Sequence, residues 1–312
     1  MNKEKKIAII GPGAMGMLFG GYFSRYFDVT LIGRDPEKME LIAREGLVIK
    51  ENDDVKNTYY PKALADSKGM EPVDLVILFV KAGASRVALE ANSHLIGEDT
   101  VLMTLQNGAG HETLLKEFAR DEQVVIGTTQ QGSYKIADNE ICHSGGGSTA
   151  IGAITGDGNR FDWVRDAFEK AGFMCELAEK VNGMIWNKLM INASSSVLSG
   201  VLQVPQGYVA ENEYAWDIAK KLIEEICEVA TACGYPFDKK EQTDRLMKHL
   251  KNAPGGYTSI YADLKAGRKT EVDVINGTVV AEGHRLGIPV KTHEVIVNMV
   301  KAMEGKAHDV SQ

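Results

Sequence analysis

The sequence predicts an α/β fold, with an N-terminal doubly wound sheet over residues 1–179 and an all-helical C-terminal domain over 180–312. Three observations carry that expectation. Short, continuously apolar runs alternate with helical patterns through the first half, as strands buried on both faces and their crossover helices do. The first run, Ile7-Ala8-Ile9-Ile10, leads directly into Gly11-Pro12-Gly13-Ala14-Met15-Gly16. Beyond Glu179 only long helical periodicities follow.

Taken in order, strands are expected at 6–10, 29–32, 75–80, 101–105 and 124–127, and helices at 15–25, 36–44, 85–92 and 111–118. Residues 47–63 are polar and β-like, which fits a small hairpin on the sheet edge. The Gly/Ser/Thr-rich stretch 128–158 reads as strands completing the sheet, followed by a helix at 160–171 and a strand at 173–177. The C-terminal helices are expected at 182–202, 213–233, 239–250, 271–286 and 292–302. Gly234 and Gly287 suit helix stops, each with a proline two residues on, Pro236 and Pro289.

Composition narrows the function classes. A net charge of −8 with no Lys/Arg block argues against nucleic acid as a partner. The longest apolar strand pattern, 75–80, is far too short to span a bilayer. Met1-Asn2-Lys3-Glu4-Lys5-Lys6 is charged and runs straight into the first strand, so it does not read as a signal peptide. Cys142, Cys175, Cys227 and Cys233 lack CxxC spacing and fit free thiols in a reducing cytoplasm. The histidines show no metal-ligand spacing, so no metal is expected. A monomer and a homodimer both remain open.

The glycine hexapeptide is the signature of a Rossmann-type dinucleotide site. Gly11 allows the sharp turn, Gly13 lets backbone N–H groups approach a pyrophosphate, and Gly16 lets the helix opened by Ala14 and Met15 pack against the strand. The helix N-terminus adds orphan donors and a positive dipole end. In NAD-binding units a carboxylate at the end of the second strand holds the ribose 2′-hydroxyl; here Gly33 stands there and Arg34 follows. A small residue with a guanidinium suits a 2′-phosphate and favours NADP, whereas an inward Asp35 would favour NADH. Lys81 and Asn107 follow the third and fourth of these strands. Both are ordinary loop residues, raised to candidates for cofactor or substrate contact by their place at strand C-termini.

Lys188, Asn192 and Ser196 recur at helical spacing as a polar row beside the apolar row Ile185, Leu189, Ala193, Val197 and Val201. The polar row is either a solvated face or a face turned to a cleft between the domains. In the second case Lys188 suits the proton donor of a ketone reduction, because an ammonium both stabilises a developing alkoxide and delivers a proton. Asn192 would then donate to the substrate. Glu271 either orients a lysine or a ribose hydroxyl, or sits with Asp273 in a helix first turn capped by Thr270.

Together these residues resemble the ketopantoate reductase (2-dehydropantoate 2-reductase) family over nearly the whole chain. GPGAMG, Val80-Lys81-Ala82, Leu105-Gln106-Asn107-Gly108, Trp186-Asn187-Lys188 with Asn192, Ser259 with Asp263, and Thr270-Glu271-Val272-Asp273-Val274-Ile275-Asn276-Gly277 occur in that family's order and approximate spacing. The resemblance implies NADPH-dependent reduction of ketopantoate, a 2-oxoacid, to (R)-pantoate in pantothenate and coenzyme A synthesis. It implies that residues 11–16 and Arg34 bind the cofactor, that Lys81 and Asn107 contact cofactor and substrate, and that Lys188 is the proton donor. Asn192 and Ser259 would bind substrate, and Glu271 would lie near the nicotinamide ribose and the lysine. Two positions depart from the pattern: Ser196 and Gln206 stand where substrate-binding asparagines are familiar. Both changes fall on substrate recognition, so the resemblance also admits a reductase of another 2-oxoacid, or a non-catalytic NADP-binding sensor.

Overall fold

The computed structural model describes residues 5–52, 54–156, 158–252 and 254–309. The charged leader Met1–Glu4 lies outside them. The chain divides into two compact units, Met1–Gln106 with His111–Val181, and Asn107–Gly110 with Asn182–Gln312.

The first unit holds twelve strands: β1 (Lys6–Ile10), β2 (Asp28–Ile32), β3 (Leu47–Lys50), β4 (Lys56–Tyr59), β5 (Lys62–Leu64), β6 (Leu75–Leu78), β7 (Val101–Thr104), β8 (Val124–Thr129), β9 (Gly132–Ala137), β10 (Glu140–Gly145), β11 (Thr149–Ala153) and β12 (Cys175–Leu177). Eight form one sheet in the order β12-β11-β8-β7-β6-β1-β2-β5. Pairing from β5 through β8 is parallel, with Ile7 opposite both Val29 and Leu75, and β11 runs antiparallel to β8. Their apolar runs are buried, as two covered faces require. The expected doubly wound sheet is therefore present.

The polar β segments divide differently from expectation. β3 and β4 do form a hairpin, but it belongs to a separate four-stranded sheet, β4-β3-β10-β9. β5 takes the main-sheet edge instead. Of the strands in 128–158, only β11 extends the main sheet beyond β8. The physical reason is one-sided burial: β3 alternates buried and half-buried residues, and β9 is largely exposed. Such strands cannot sit in a sheet covered on both faces.

The second unit is helical: Val181–Ile191, then Val197–Leu202, Gln206–Glu211, Glu213–Ala232, Lys239–Asn252, Ser259–Lys265, Asn276–Leu286 and Lys291–Asp309. Leu189, Ala193 and Val197 are fully buried with Leu222, Ile226 and Val279. Gly234 and Gly287 adopt left-handed backbone after their helices, as the stop signals imply. Two departures matter for function. The helix expected at 182–202 is interrupted by a π-helical turn, Asn192–Ser196. The helix expected from 271 begins at Asn276, and residues 271–275 form a tight turn, with the Val274 and Ile275 N–H groups donating to the Glu271 carbonyl at 3.1 Å.

Candidate active site

In the first unit the glycine loop connects β1 to the helix Ala14–Ser24, whose N-cap is Gly13. Gly11 has φ +101°, and a Cβ there would lie 2.6 Å from the Val80 backbone nitrogen. A Cβ on Gly16 would lie 2.1 Å from the Gly11 carbonyl oxygen. The loop can close only with glycine at both positions. Around Gly13 a Cβ would meet nothing within 4 Å, so this backbone faces open space.

That space belongs to a cleft of about 550 Å³, lined by Gly11, Pro12, Gly13, Arg34, Lys81 and neighbouring residues at the ends of β1, β2, β5 and β6. The volume is that of a small-ligand site. The open glycine, the helix N-terminus and the guanidinium suit a dinucleotide carrying an anionic phosphate. Ala14, Met15 and Gly16 are not lining residues; they build the first helical turn behind it. Gln106, at the end of β7, donates to the Val80 carbonyl at 2.5 Å and to Ser85 Oγ at 2.9 Å, fixing the loop that presents Lys81. The sequence shows Gln106 in a motif without revealing this bracing role.

The residues after β2 decide the electrostatics. Asp35 is the N-cap of the helix Pro36–Glu45, its carboxylate accepting from the Lys38 N–H at 3.1 Å. It is not among the residues lining the cleft, whereas Arg34 is. Gly33 is small for a packing reason: a Cβ there would lie 2.5 Å from Pro12 Cγ and 2.8 Å from Met39 Sδ. The room that the sequence suggests for a 2′-phosphate is therefore taken by Pro12, and the charge argument rests on Arg34.

The second unit carries a different set of polar groups. Lys188 is half-buried, and desolvation pushes its ammonium down to about 8, with the Glu271 carboxylate pulling the other way. Asn107 Nδ2 donates to Glu271 Oε2 at 3.2 Å. Its loop is held on the 271–275 turn by the Ala109 N–H, which donates to the Val274 carbonyl at 3.3 Å; Thr278 Oγ1 lies 2.9 Å from that carbonyl and 3.4 Å from the Ala109 carbonyl. Lys188, Glu271 and Asn107 thus form one electrostatically linked group. The capped-helix alternative for Glu271 is overturned. Thr270 Oγ1 is 2.6 Å from Glu304 Oε1, no helix starts there, and Asp273 pairs with Lys301 at 2.6 Å on the surface.

The remaining candidates are placed less uniformly. Ser196 and Gln206 are both buried and bonded to each other, Gln206 Nε2 donating to Ser196 Oγ at 3.0 Å. Asn192 is partly exposed at the start of the π turn, and its amide makes no hydrogen bond among the described residues. Ser259 is exposed, following the N-cap Thr258, and no described contact joins it to Lys188. Asp263 is buried and ion-paired with Arg268 at 2.9 Å. Among the described residues no cluster of histidine, cysteine and carboxylate is arranged to hold a metal, and no helix is long and apolar enough to cross a membrane.

A doubly wound sheet whose first strand ends in a glycine-loop cleft, followed by a helical unit, defines a Rossmann-type nucleotide-binding protein. The model of the ketopantoate reductase PanE/ApbA family matches residues 7–156, and that of its C-terminal domain matches residues 180–304. The chain belongs to this family. It is 31% identical over 302 residues to the 2-dehydropantoate 2-reductase of Pyrococcus horikoshii, covering 96% of this chain and 97% of that one. The Streptococcus pyogenes enzyme of the same name is 28% identical, with 96% and 97% covered. Among solved structures, D-mandelate dehydrogenase with NADH and anilino(oxo)acetate superposes with a TM-score of 0.91 at 26% identity, covering 97% of this chain and 99% of that one. The 2-dehydropantoate 2-reductase of Geobacter metallireducens gives 0.89 at 25% identity, with 95% and 99% covered.

Proposed function

We propose that this protein reduces the C2 carbonyl of a 2-oxoacid with NADPH, that ketopantoate is its substrate, and that (R)-pantoate is its product. The observation that carries this reading is the lowered ammonium of Lys188 beside Glu271. A general acid works best with a pKa near the working pH, and an ordinary lysine is too weak an acid for that. When bound, the nicotinamide supplies a hydride to C2. Lys188 Nζ gives its proton to the carbonyl oxygen, so the developing alkoxide on C2 becomes a hydroxyl. Glu271 keeps the ammonium charged before transfer and is itself oriented by Asn107. Asn192, whose amide has no partner among the described residues, binds the substrate, and Ser259 adds a hydroxyl. Gly11, Gly13, Arg34 and Lys81 hold the cofactor. The reading places the enzyme in the cytoplasm and in pantothenate synthesis.

Arg34 beside a capped, outward-engaged Asp35 supports NADPH over NADH. Arg34→Ala is expected to weaken NADPH binding by about 1–3 kcal/mol, the scale of a charge-assisted hydrogen bond. NADH binding should scarcely change. Equal losses for both cofactors, read by fluorescence titration, would remove the 2′-phosphate from this account.

A second substrate reading has its own support. Ser196 and Gln206 satisfy each other, so the two departing positions offer fewer free polar groups to a hydroxylated substrate. D-mandelate dehydrogenase, a similar fold, works on an aryl 2-hydroxyacid. Steady-state NADPH oxidation with ketopantoate beside 2-oxo-2-phenylacetate and short branched 2-oxoacids separates the two. A kcat/KM preference for ketopantoate supports the leading reading; a preference for the aryl acid transfers the same chemistry to another substrate. Tight NADPH binding with no oxidation by any 2-oxoacid would leave a nucleotide sensor.

A further inference from the structure

We propose that Asn276 is a positioning residue for the reaction: its side-chain amide pins the π-helical turn Asn192–Ser196 and so sets where Lys188 and Asn192 stand with respect to Glu271. This inference rests on the reading of Lys188 and Glu271 given above.

A π turn inside an α-helix is a costly local geometry, and its carbonyls are not all served by the regular ladder. Here side chains serve them. Ser194 Oγ donates to the Met190 carbonyl, Ser195 Oγ to Ile191 at 3.3 Å, Thr258 Oγ1 to Ser196 at 3.2 Å, and Asn276 Nδ2 to Ala193 at 2.8 Å. The two serines act within the turn; Thr258 and Asn276 reach it from other segments. Thr258 has a second duty as the N-cap of Ser259–Lys265.

Asn276 is fully buried, and its Oδ1 finds no partner among the described residues. A buried amide with half its capacity unused costs stability that an apolar side chain of similar size would not. What the amide contributes is the bond to Ala193. Asn276 also opens the helix Asn276–Leu286 directly after the Glu271 turn, which closes with the Gly277 N–H donating to the Val272 carbonyl at 2.8 Å. One hydrogen bond therefore ties the segment carrying Glu271 to the one carrying Lys188 and Asn192. Glu271 is the charged group whose field reaches Lys188, so a change in this tie is read at that ammonium.

The test compares wild type with Asn276→Ala and Asn276→Gln, which can restore the donor. The expected result for Asn276→Ala is a kcat lower by about tenfold or more, the scale of a small misplacement of reacting groups. NADPH affinity should be unchanged, because the nucleotide cleft is built by the first unit. The pH at which Lys188 acylation is half-maximal, followed by mass spectrometry without turnover, should move downward as the Glu271 carboxylate loses its place beside the ammonium, and Asn276→Gln should bring it part of the way back. Wild-type kcat and an unmoved acylation midpoint, even with a lower melting temperature, would reduce Asn276 to a core residue and overturn the proposal. If Asn276→Ala does not fold, Ser194→Ala removes another donor from the same turn. A displaced midpoint there supports the pinned turn, and an unmoved one sinks it. Should wild type oxidise NADPH with no 2-oxoacid, the reductase reading fails on its own, while the acylation midpoint still decides whether Asn276 sets the state of Lys188.

Discussion

Lys188→Ala is expected to lower kcat by about 10²-fold or more while NADPH still binds, the effect of removing a positioned acid. The pH profile is the sharper form of this expectation. Burial lowers the Lys188 ammonium to about 8, with Glu271 opposing the shift. In the proposed reduction the protonated form does the work, so kcat/KM for reduction should be level below that pH and fall as pH rises through about 8. Oxidation of the hydroxyacid needs the neutral amine and should show the opposite limb. Lys188→Arg keeps the charge but not a transferable proton, since a guanidinium stays protonated; it should be as slow as the alanine variant and lose the limb near 8. Unchanged kcat in either variant would take Lys188 out of the chemistry.

Gly16→Ala is expected to abolish useful NADPH binding and to destabilise the first unit, whereas Gly13→Ala should fold like wild type. At position 16 the new Cβ would be 2.1 Å from the Gly11 carbonyl oxygen, a backbone atom that cannot rotate away. The loop must open, at a cost on the order of 1–3 kcal/mol for overpacking, and its N–H groups lose their aim. At position 13 the Cβ meets nothing and the backbone is in an ordinary region, φ −74°. Its methyl group would intrude only where a pyrophosphate approaches. Equal melting temperatures for wild type and Gly13→Ala, with a lower one for Gly16→Ala, together with weakened NADPH binding in both, is the expected pattern. Wild-type affinity in Gly13→Ala would show that no phosphate comes close to this loop.

The parts of the fold legible in the sequence are those with a strong local cause. The runs at β1, β2, β6, β7 and β8 are apolar because both faces are covered, and Gly11 and Gly16 stand where only glycine fits. The less legible parts depend on partners distant in sequence. Whether β9 and β10 join the main sheet is decided by which face is covered, and that cannot be seen within either strand. Two carbonyls of the π turn are served by Asn276 and Thr258, far along the chain from the residues they bond. Helical spacing puts Ser196 on the Lys188 row but does not show its bond with Gln206, which comes from a later helix. The helix starts at Asn276 and not at 271 for a different reason. Thr270 with Glu271 and Asp273 has the composition of a capped first turn, and Thr270 Oγ1 does accept the Val272 N–H at 3.2 Å, but the turn that follows does not continue as a helix until Asn276. Gly33 shows a further limit: its smallness was legible, but its cause, the seat of Pro12, was not.

The most direct measurement uses NADPH deuterated at the reactive nicotinamide carbon, incubated with the enzyme and ketopantoate, with the product examined by NMR. The account predicts pantoate carrying deuterium at C2 and a hydroxyl proton drawn from solvent, with turnover falling as pH rises through about 8. NADPH that binds and stays unoxidised with ketopantoate and with every other 2-oxoacid tried would contradict it.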